Sequence, residues 1–206
     1  MIAIIDYGMG NLHSVGKAVG RLGYDAVVTA DAGEIMKADG AILPGVGAFG
    51  DAMQNLRNTG LDQTARDYAA SGRPLLGICL GMQLLFAESE EYGRHEGLSL
   101  LPGRVVRFRG GYKVPHMGWN RLEFRRPDPI FEGLAEGHVY FVHSFHAKPE
   151  HETDLLATTD YYQQVTAIVG RDNVYGMQFH PEKSGELGMS LLGNFLALTA
   201  SRAKVR

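Results

Sequence analysis

Cysteine is almost missing from this chain. Its 206 residues include one, Cys79, so no internal disulfide can form and a reducing compartment suits it. A surplus of either charge is missing too: 20 Lys and Arg against 23 Asp and Glu leave a net charge of −3. That balance gives no electrostatic footprint for nucleic acid or for an anionic membrane. No apolar run approaches the roughly 20 residues of a membrane span. The opening Met1-Ile2-Ala3-Ile4-Ile5-Asp6 lacks the basic stretch and cleavage site of a secretory leader, so a cytoplasmic protein is expected. With 45% apolar and 21% charged residues, a sizeable core is available and disorder is disfavoured. Glycine, by contrast, is abundant: 27 residues, roughly twice the usual share. Without collagen-like periodicity, that implies tight turns and close backbone approaches. The length suits one domain over 1–206.

The first half alternates apolar runs with helical periodicity. Ile2 to Ile5, Asp25 to Thr29, Gly40 to Leu43 and Arg73 to Ile78 read as strands. A helix from about Asn11 puts Leu12, Val15, Val19 and Leu22 on one face, and Asp51 to Ala70 reads as helix with a break at Gly60. Leu80 to Ser89 reads as another helix. Such alternation implies parallel strands joined by right-handed crossovers. The second half opens with a Gly- and Arg-rich stretch from Leu100 to Phe124. Strand-like runs follow at His138 to His146, Leu155 to Thr159, Val165 to Val169 and Val174 to Phe179, joined by short turns. A last helix, Gly185 to Ala200, carries Leu187, Leu191, Phe195 and Leu198 as its apolar stripe. The expected fold is α/β: a doubly wound, mixed but mostly parallel sheet flanked by helices, without linker, repeat or low-complexity segment.

The segment richest in chemistry is Gly77-Ile78-Cys79-Leu80-Gly81-Met82-Gln83. A strand running into Gly-x-Cys-x-Gly and then a helix is the cysteine form of a nucleophile elbow. Small residues two before and two after are needed where the turn brings backbone into contact. A helix N-terminus behind the sulfur favours thiolate, and the Leu80 N–H is available to donate to an oxyanion. The plainer alternative is a buried structural cysteine between packing glycines.

Its expected partner lies in Met177-Gln178-Phe179-His180-Pro181-Glu182. Proline keeps His180 extended at the carboxyl end of a strand, the sheet edge where α/β proteins bind ligands. Glu182 can curl back to fix the imidazole tautomer, giving nucleophile, base and orienter in the order Cys79, His180, Glu182. The turn Pro44-Gly45-Val46-Gly47 ends the third strand; it is either a plain Pro-Gly turn or a source of a second oxyanion donor, from Val46 or Gly47.

Taken together, these residues resemble the class I (triad) glutamine amidotransferases, over essentially the whole chain. Two further stretches, Ile5-Asp6-Tyr7-Gly8-Met9-Gly10-Asn11 and Pro115-His116-Met117-Gly118-Trp119-Asn120, resemble the glutaminase subunits of imidazole glycerol phosphate synthases of histidine biosynthesis. The resemblance implies Cys79 as nucleophile, His180 as acid and base, and Glu182 as orienter. It also implies that Gln83 and Glu91 help hold glutamine, with Gly45 and the backbone around Ser144 and Phe145 at the substrate. Glu91, though, sits in an acidic run (Glu88, Glu90, Glu91) that would also suit a solvated helix end.

The chemistry so implied is thioester formation on Cys79, ammonia release, and hydrolysis, with no metal or organic cofactor. Ammonia is protonated in bulk water, and a chain of this length leaves no room for an acceptor domain, so a partner subunit is expected. The resemblance makes that partner a (β/α)-barrel cyclase in a heterodimer. Trp119, Tyr140 and Lys183 are candidates for the docking face, since aromatic anchors are enriched at interfaces. The basic residues Arg104, Arg107, Arg109 and Lys113 are equally readable as docking surface or solvated face.

Other features mislead. Gly8-x-Gly10 with Asp31 downstream imitates a dinucleotide fingerprint, but His13 stands where its last glycine belongs. His138, His143 and His146 imitate a metal cluster, yet strand alternation puts 143 on the face opposite the other two. The alternatives left open are a glutaminase subunit of another synthase (pyridoxal phosphate or anthranilate type), a stand-alone cysteine-elbow hydrolase, and a flavodoxin-like binding module.

Overall fold

The computed structural model describes residues 1–203. In chain order, strand β1 (Ile2–Ile5), helix α1 (Leu12–Arg21), β2 (Ala26–Thr29), α2 (Ala32–Lys37), β3 (Gly40–Leu43), α3 (Phe49–Thr59), α4 (Leu61–Ala70), β4 (Leu75–Ile78) and α5 (Leu80–Leu84) make up the first part. The strands β5 (Phe86–Ser89), β6 (His95–Glu96), β7 (Leu101–Arg107), β8 (His116–Arg121), β9 (Glu123–Phe124), β10 (His138–His143), β11 (Phe145–Pro149), β12 (Leu155–Asp160), β13 (Gln164–Arg171) and β14 (Val174–Met177) follow, and α6 (Gly185–Ala203) ends the described chain.

Among the described residues, eight strands form the main sheet in the order β2-β1-β3-β4-β14-β13-β12-β9. The first five run parallel. From β14 onward the pairings are antiparallel. The mixed, mostly parallel α/β sheet read from the sequence is therefore the one formed. Parallel strands covered on both faces must be apolar throughout, and β1, β3, β4 and β14 are buried at every position. Their alternate residues feed two cores. Ala3, Ile5 and Leu43 pack with α2, α3 and α4, whereas Ile2, Ile4 and Ile42 pack with α1 and α6. Two smaller sheets stand beside the main one: the pair β10-β8 and the four strands β11-β7-β5-β6.

Some expected elements change. The run 80–89 is not one helix: α5 stops at Leu84, and Phe86–Ser89 becomes a strand paired with β6 and β7. The run 138–146 breaks at Ser144 into two strands of different sheets. Helix α2 is new, capped by Asp31, whose carboxylate accepts from the Glu34 N–H at 2.8 Å. Asn11 precedes α1 as expected, but its side chain makes no capping bond.

This topology brings distant segments to one edge. The loop after β3 and the residues after β4 and β14 all leave the carboxyl ends of neighbouring strands.

Candidate active site

Cys79 stands between β4 and α5 with φ 55° and ψ −115°, a backbone conformation that costs energy in any residue with a side chain. Three features hold it there. Its N–H donates to the Met177 carbonyl at 2.8 Å, tying the turn to β14. Gly81 lies so close to β3 that a Cβ would fall 1.8 Å from the Leu43 carbonyl oxygen, and a Cβ on Gly77 would fall 2.5 Å from that of Gly81. The elbow's two glycines are therefore required by backbone contact on both sides. Only 7% of Cys79 is exposed.

The sulfur opens into a cleft of about 350 Å³ lined by Val46, Gly47, Leu80, Gln83, Glu91, Ser144, Phe145 and His180, among others. Leu80 is the first residue of α5, so its N–H has no acceptor within the helix. Gly47 (φ +102°) bends the opposite wall, and Gly45 is buried behind it, where a Cβ would lie 2.7 Å from Tyr7 Oη and 2.9 Å from the Gly81 nitrogen. Tyr7 in turn donates to the Pro44 carbonyl at 2.7 Å. The 45–47 turn and the elbow are thus packed together.

His180 follows β14, one strand over from β4. Its Nδ1 lies 3.1 Å from Glu182 Oε1, and the ring lines the same cleft as Cys79. Both His180 and Glu182 side chains are almost wholly buried. Burial alone would drive the imidazole pKa down. Interaction with Cys79 and with the Glu182 carboxylate outweighs it and raises the pKa to about 9. The proton of this buried group is therefore retained at neutral pH, facing the sulfur.

Gln83 is buried and spans the back of the cleft, its amide donating to the Phe145 carbonyl (3.1 Å) and to Gln178 Oε1 (3.1 Å). The Gln178 amide, which no sequence motif singles out, approaches Cys79 Sγ at 4.0 Å. Glu91 is not part of a solvated helix end. It lines the cleft in the turn after β5 and accepts from the Phe49 N–H at 3.1 Å; burial, the strongest influence, raises its pKa despite that bond.

The docking candidates gather in one patch. Trp119 is 57% exposed, its ring 6.2 Å from that of Tyr140, and Met117 beside it on β8 is 56% exposed. The Tyr140 carbonyl accepts from the His180 N–H at 3.3 Å, and exposed Lys183 follows the Glu182 turn. The basic stretch lies elsewhere, along the sheet β11-β7-β5-β6, where Glu90 accepts from the Arg107 N–H (2.7 Å) and pairs with Arg109. Among the described residues no cluster of His, Cys, Asp and Glu is arranged to hold a metal ion, and no helix is long and apolar enough to cross a membrane.

A strained cysteine at a strand-to-helix elbow, with a buried imidazole and carboxylate beside it, is the arrangement that thiol chemistry requires. The family described as "Glutamine amidotransferase class-I" matches residues 3–198, and the chain belongs to that family. A solved structure titled a glutamine amidotransferase superposes with a TM-score of 0.77 over 97% of this chain and 98% of its own, at 23% identity. The structure of PurLQS from Thermotoga maritima gives 0.75 over 95% and 97%, at 19% identity. Both show the shared fold. Curated relatives are more specific. Imidazole glycerol phosphate synthase subunit HisH of Halalkalibacterium halodurans is 57% identical over 213 residues, covering all of both chains. That of Geobacillus thermodenitrificans is 57% identical over 208 residues, 98% of each. Within the family, the chain stands with these HisH subunits.

Proposed function

We propose that this chain is the glutaminase subunit of a cytoplasmic imidazole glycerol phosphate synthase, hydrolysing glutamine and passing ammonia to a (β/α)-barrel cyclase in a heterodimer. The observation that carries the reading is the buried Cys79–His180–Glu182 arrangement on the wall of one cleft. The Cys79 thiolate attacks the side-chain amide carbon of glutamine. Charge on the amide oxygen is met by the Leu80 N–H and by a donor from Val46 or Gly47. His180 gives its proton to the leaving nitrogen, the C–N bond breaks, and ammonia departs. Water, deprotonated by His180, then splits the glutamyl thioester, releasing glutamate and restoring the thiolate. Gln83, Glu91, Gly45 and the Ser144–Phe145 backbone form the substrate pocket, while Trp119, Tyr140 and Lys183 dock the cyclase. None of these steps calls for a metal or an organic cofactor.

The chain is to be mixed with the cyclase and its ribotide substrate, following glutamate and imidazole product together. One glutamate per product supports the reading. Glutamate release unaffected by the liganded cyclase supports a stand-alone cysteine-elbow hydrolase instead.

Glu182 acts on substrate only through the imidazole. Glu182→Gln is expected to lower kcat/KM about 10²-fold, within the range of general acid–base contributions. It also removes a charge that raises the His180 pKa. The alkaline limb of the kcat/KM profile, set by loss of the His180 proton near pH 9, should therefore move toward neutrality in the variant. An unmoved limb would show that Glu182 does not set the imidazole's protonation.

A further inference from the structure

Behind the cleft, a chain of hydrogen bonds runs from strand β8 to the Phe145 carbonyl, and its partners assign every proton. The Phe145 carbonyl lies 2.7 Å from His143 Nδ1, and since a carbonyl only accepts, Nδ1 carries the hydrogen. The ring is buried among aromatics, with Phe108 at 5.2 Å, and that desolvation drives its pKa down to about 3, so it is neutral and its Nε2 is an acceptor. His116 Nδ1 lies 2.8 Å from that Nε2 and must therefore donate. His116 is stacked between Phe141 (4.7 Å) and Tyr161 (4.1 Å), and burial likewise lowers its pKa, to about 4. Its remaining Nε2 faces Asn120 Nδ2 at 3.2 Å. The Asn120 amide has only one orientation available: its nitrogen also donates to the Asp160 carbonyl (2.8 Å), while its oxygen accepts from the Arg121 N–H (2.8 Å). Protons thus point one way throughout, from Asn120 to His116 to His143 to Phe145.

The end of this chain is where it meets the cleft. Ser144 interrupts β10 and β11, and at this break the Ser144 carbonyl accepts from the Phe108 N–H at 3.3 Å. The Phe145 carbonyl has two lone pairs, one taken by His143 Nδ1 and the other by the Gln83 amide. Both are satisfied from behind, leaving the peptide plane fixed at the cleft wall.

We infer that His143 and His116, anchored by Asn120, are positioning residues that hold the Ser144–Phe145 backbone in register for the amino-acid end of glutamine. This rests on the glutaminase reading of the cleft. Neutrality matters as well as geometry, because a charged His143 would repel the imidazolium of His180. The two histidines sit opposite one another in the β8–β10 pairing, and β8 turns Met117 and Trp119 outward from the same strand. The strand that bears the proposed docking anchor also supports the substrate wall.

The test uses the complex with the cyclase and its ligand. Removing a buried donor from a backbone remote from the scissile amide weakens binding of ground and transition states alike, so KM rises and kcat holds. His143→Leu and His116→Leu are each expected to raise KM for glutamine about tenfold, with kcat within about threefold. Asparagine places a donor where Nδ1 stands, so His143→Asn should recover most of the loss. In the unmodified protein, 15N shifts at neutral pH should report protonated Nδ1 and bare Nε2 on both rings. An unchanged KM in the leucine variants, or an Nε2–H tautomer at either ring, overturns the inference. The tautomer measurement stands even if a leucine variant fails to fold. Absence of glutamine hydrolysis by the wild-type complex would instead overturn the glutaminase reading, and this inference with it.

Discussion

Replacing Cys79 with alanine is expected to reduce glutamine hydrolysis by about 10⁴-fold or more, while the complex with the cyclase still uses ammonia supplied in solution. The substitution leaves His180, Glu182 and the elbow amides in place, but no covalent intermediate can form. Water would have to attack an unactivated amide directly, and the donors around the oxyanion recover only part of that barrier. Both cysteine and alanine carry a Cβ at the same positive φ, so the change is expected to be nearly silent in folding. Labelling by a glutamine-mimicking electrophile should disappear together with glutamate release. A variant retaining a tenth of wild-type turnover would remove the thioester from the mechanism, and retained labelling would place the reactive group elsewhere.

The second large effect is on stability. Gly81→Ala is expected to destabilise the fold by more than about 3 kcal/mol, because its Cβ would lie 1.8 Å from a backbone oxygen at the end of β3. The atom in the way is main chain, so no side-chain rotation relieves the clash. Either α5 lifts from the sheet or the turn after β3 is pushed aside, and both move the wall that carries Val46 and Gly47. Gly20→Ala provides the contrast. Gly20 lies in α1 with nothing within 4 Å of a new Cβ, so alanine there is expected to stabilise by roughly 0.5–1 kcal/mol. Urea midpoints of the two variants check this directly; a Gly81→Ala protein as stable as wild type would mean the elbow does not need its close approach to β3.

How much of this was legible beforehand follows from how local each constraint is. The elbow and the His180-Pro181-Glu182 turn are local: sterics and proton transfer demand particular residue types within a few positions, so composition and spacing expose them. The parallel strands are legible for a related reason, since burial on both faces leaves an uninterrupted apolar run. Helix α2 was missed because six residues are under two turns, too short for periodicity, and its signal was the Asp31 cap. The apolar spacing of Phe86–Ser89 fits helix and strand alike; pairing with β6 and β7 decides it. The histidines show the limit most clearly. Alternation along 138–146 assumes one continuous strand, and the break at Ser144 invalidates the count beyond it. His143 instead meets His116, a neighbour that only the cross-strand register of β8 and β10 supplies. Gln178, inside a strand-like run, carried no local signal at all.

Strand β14 has a consequence for the order in which the molecule can mature. It is inserted between β4 and β13, at the seam where parallel pairing gives way to antiparallel, and it brings the imidazole to a cysteine some hundred residues earlier. During synthesis the thiol emerges long before its base, beside a β4 edge that nothing yet covers. A nascent chain that stops short of β14 therefore carries the thiol of the elbow without the imidazole that faces it in the finished fold.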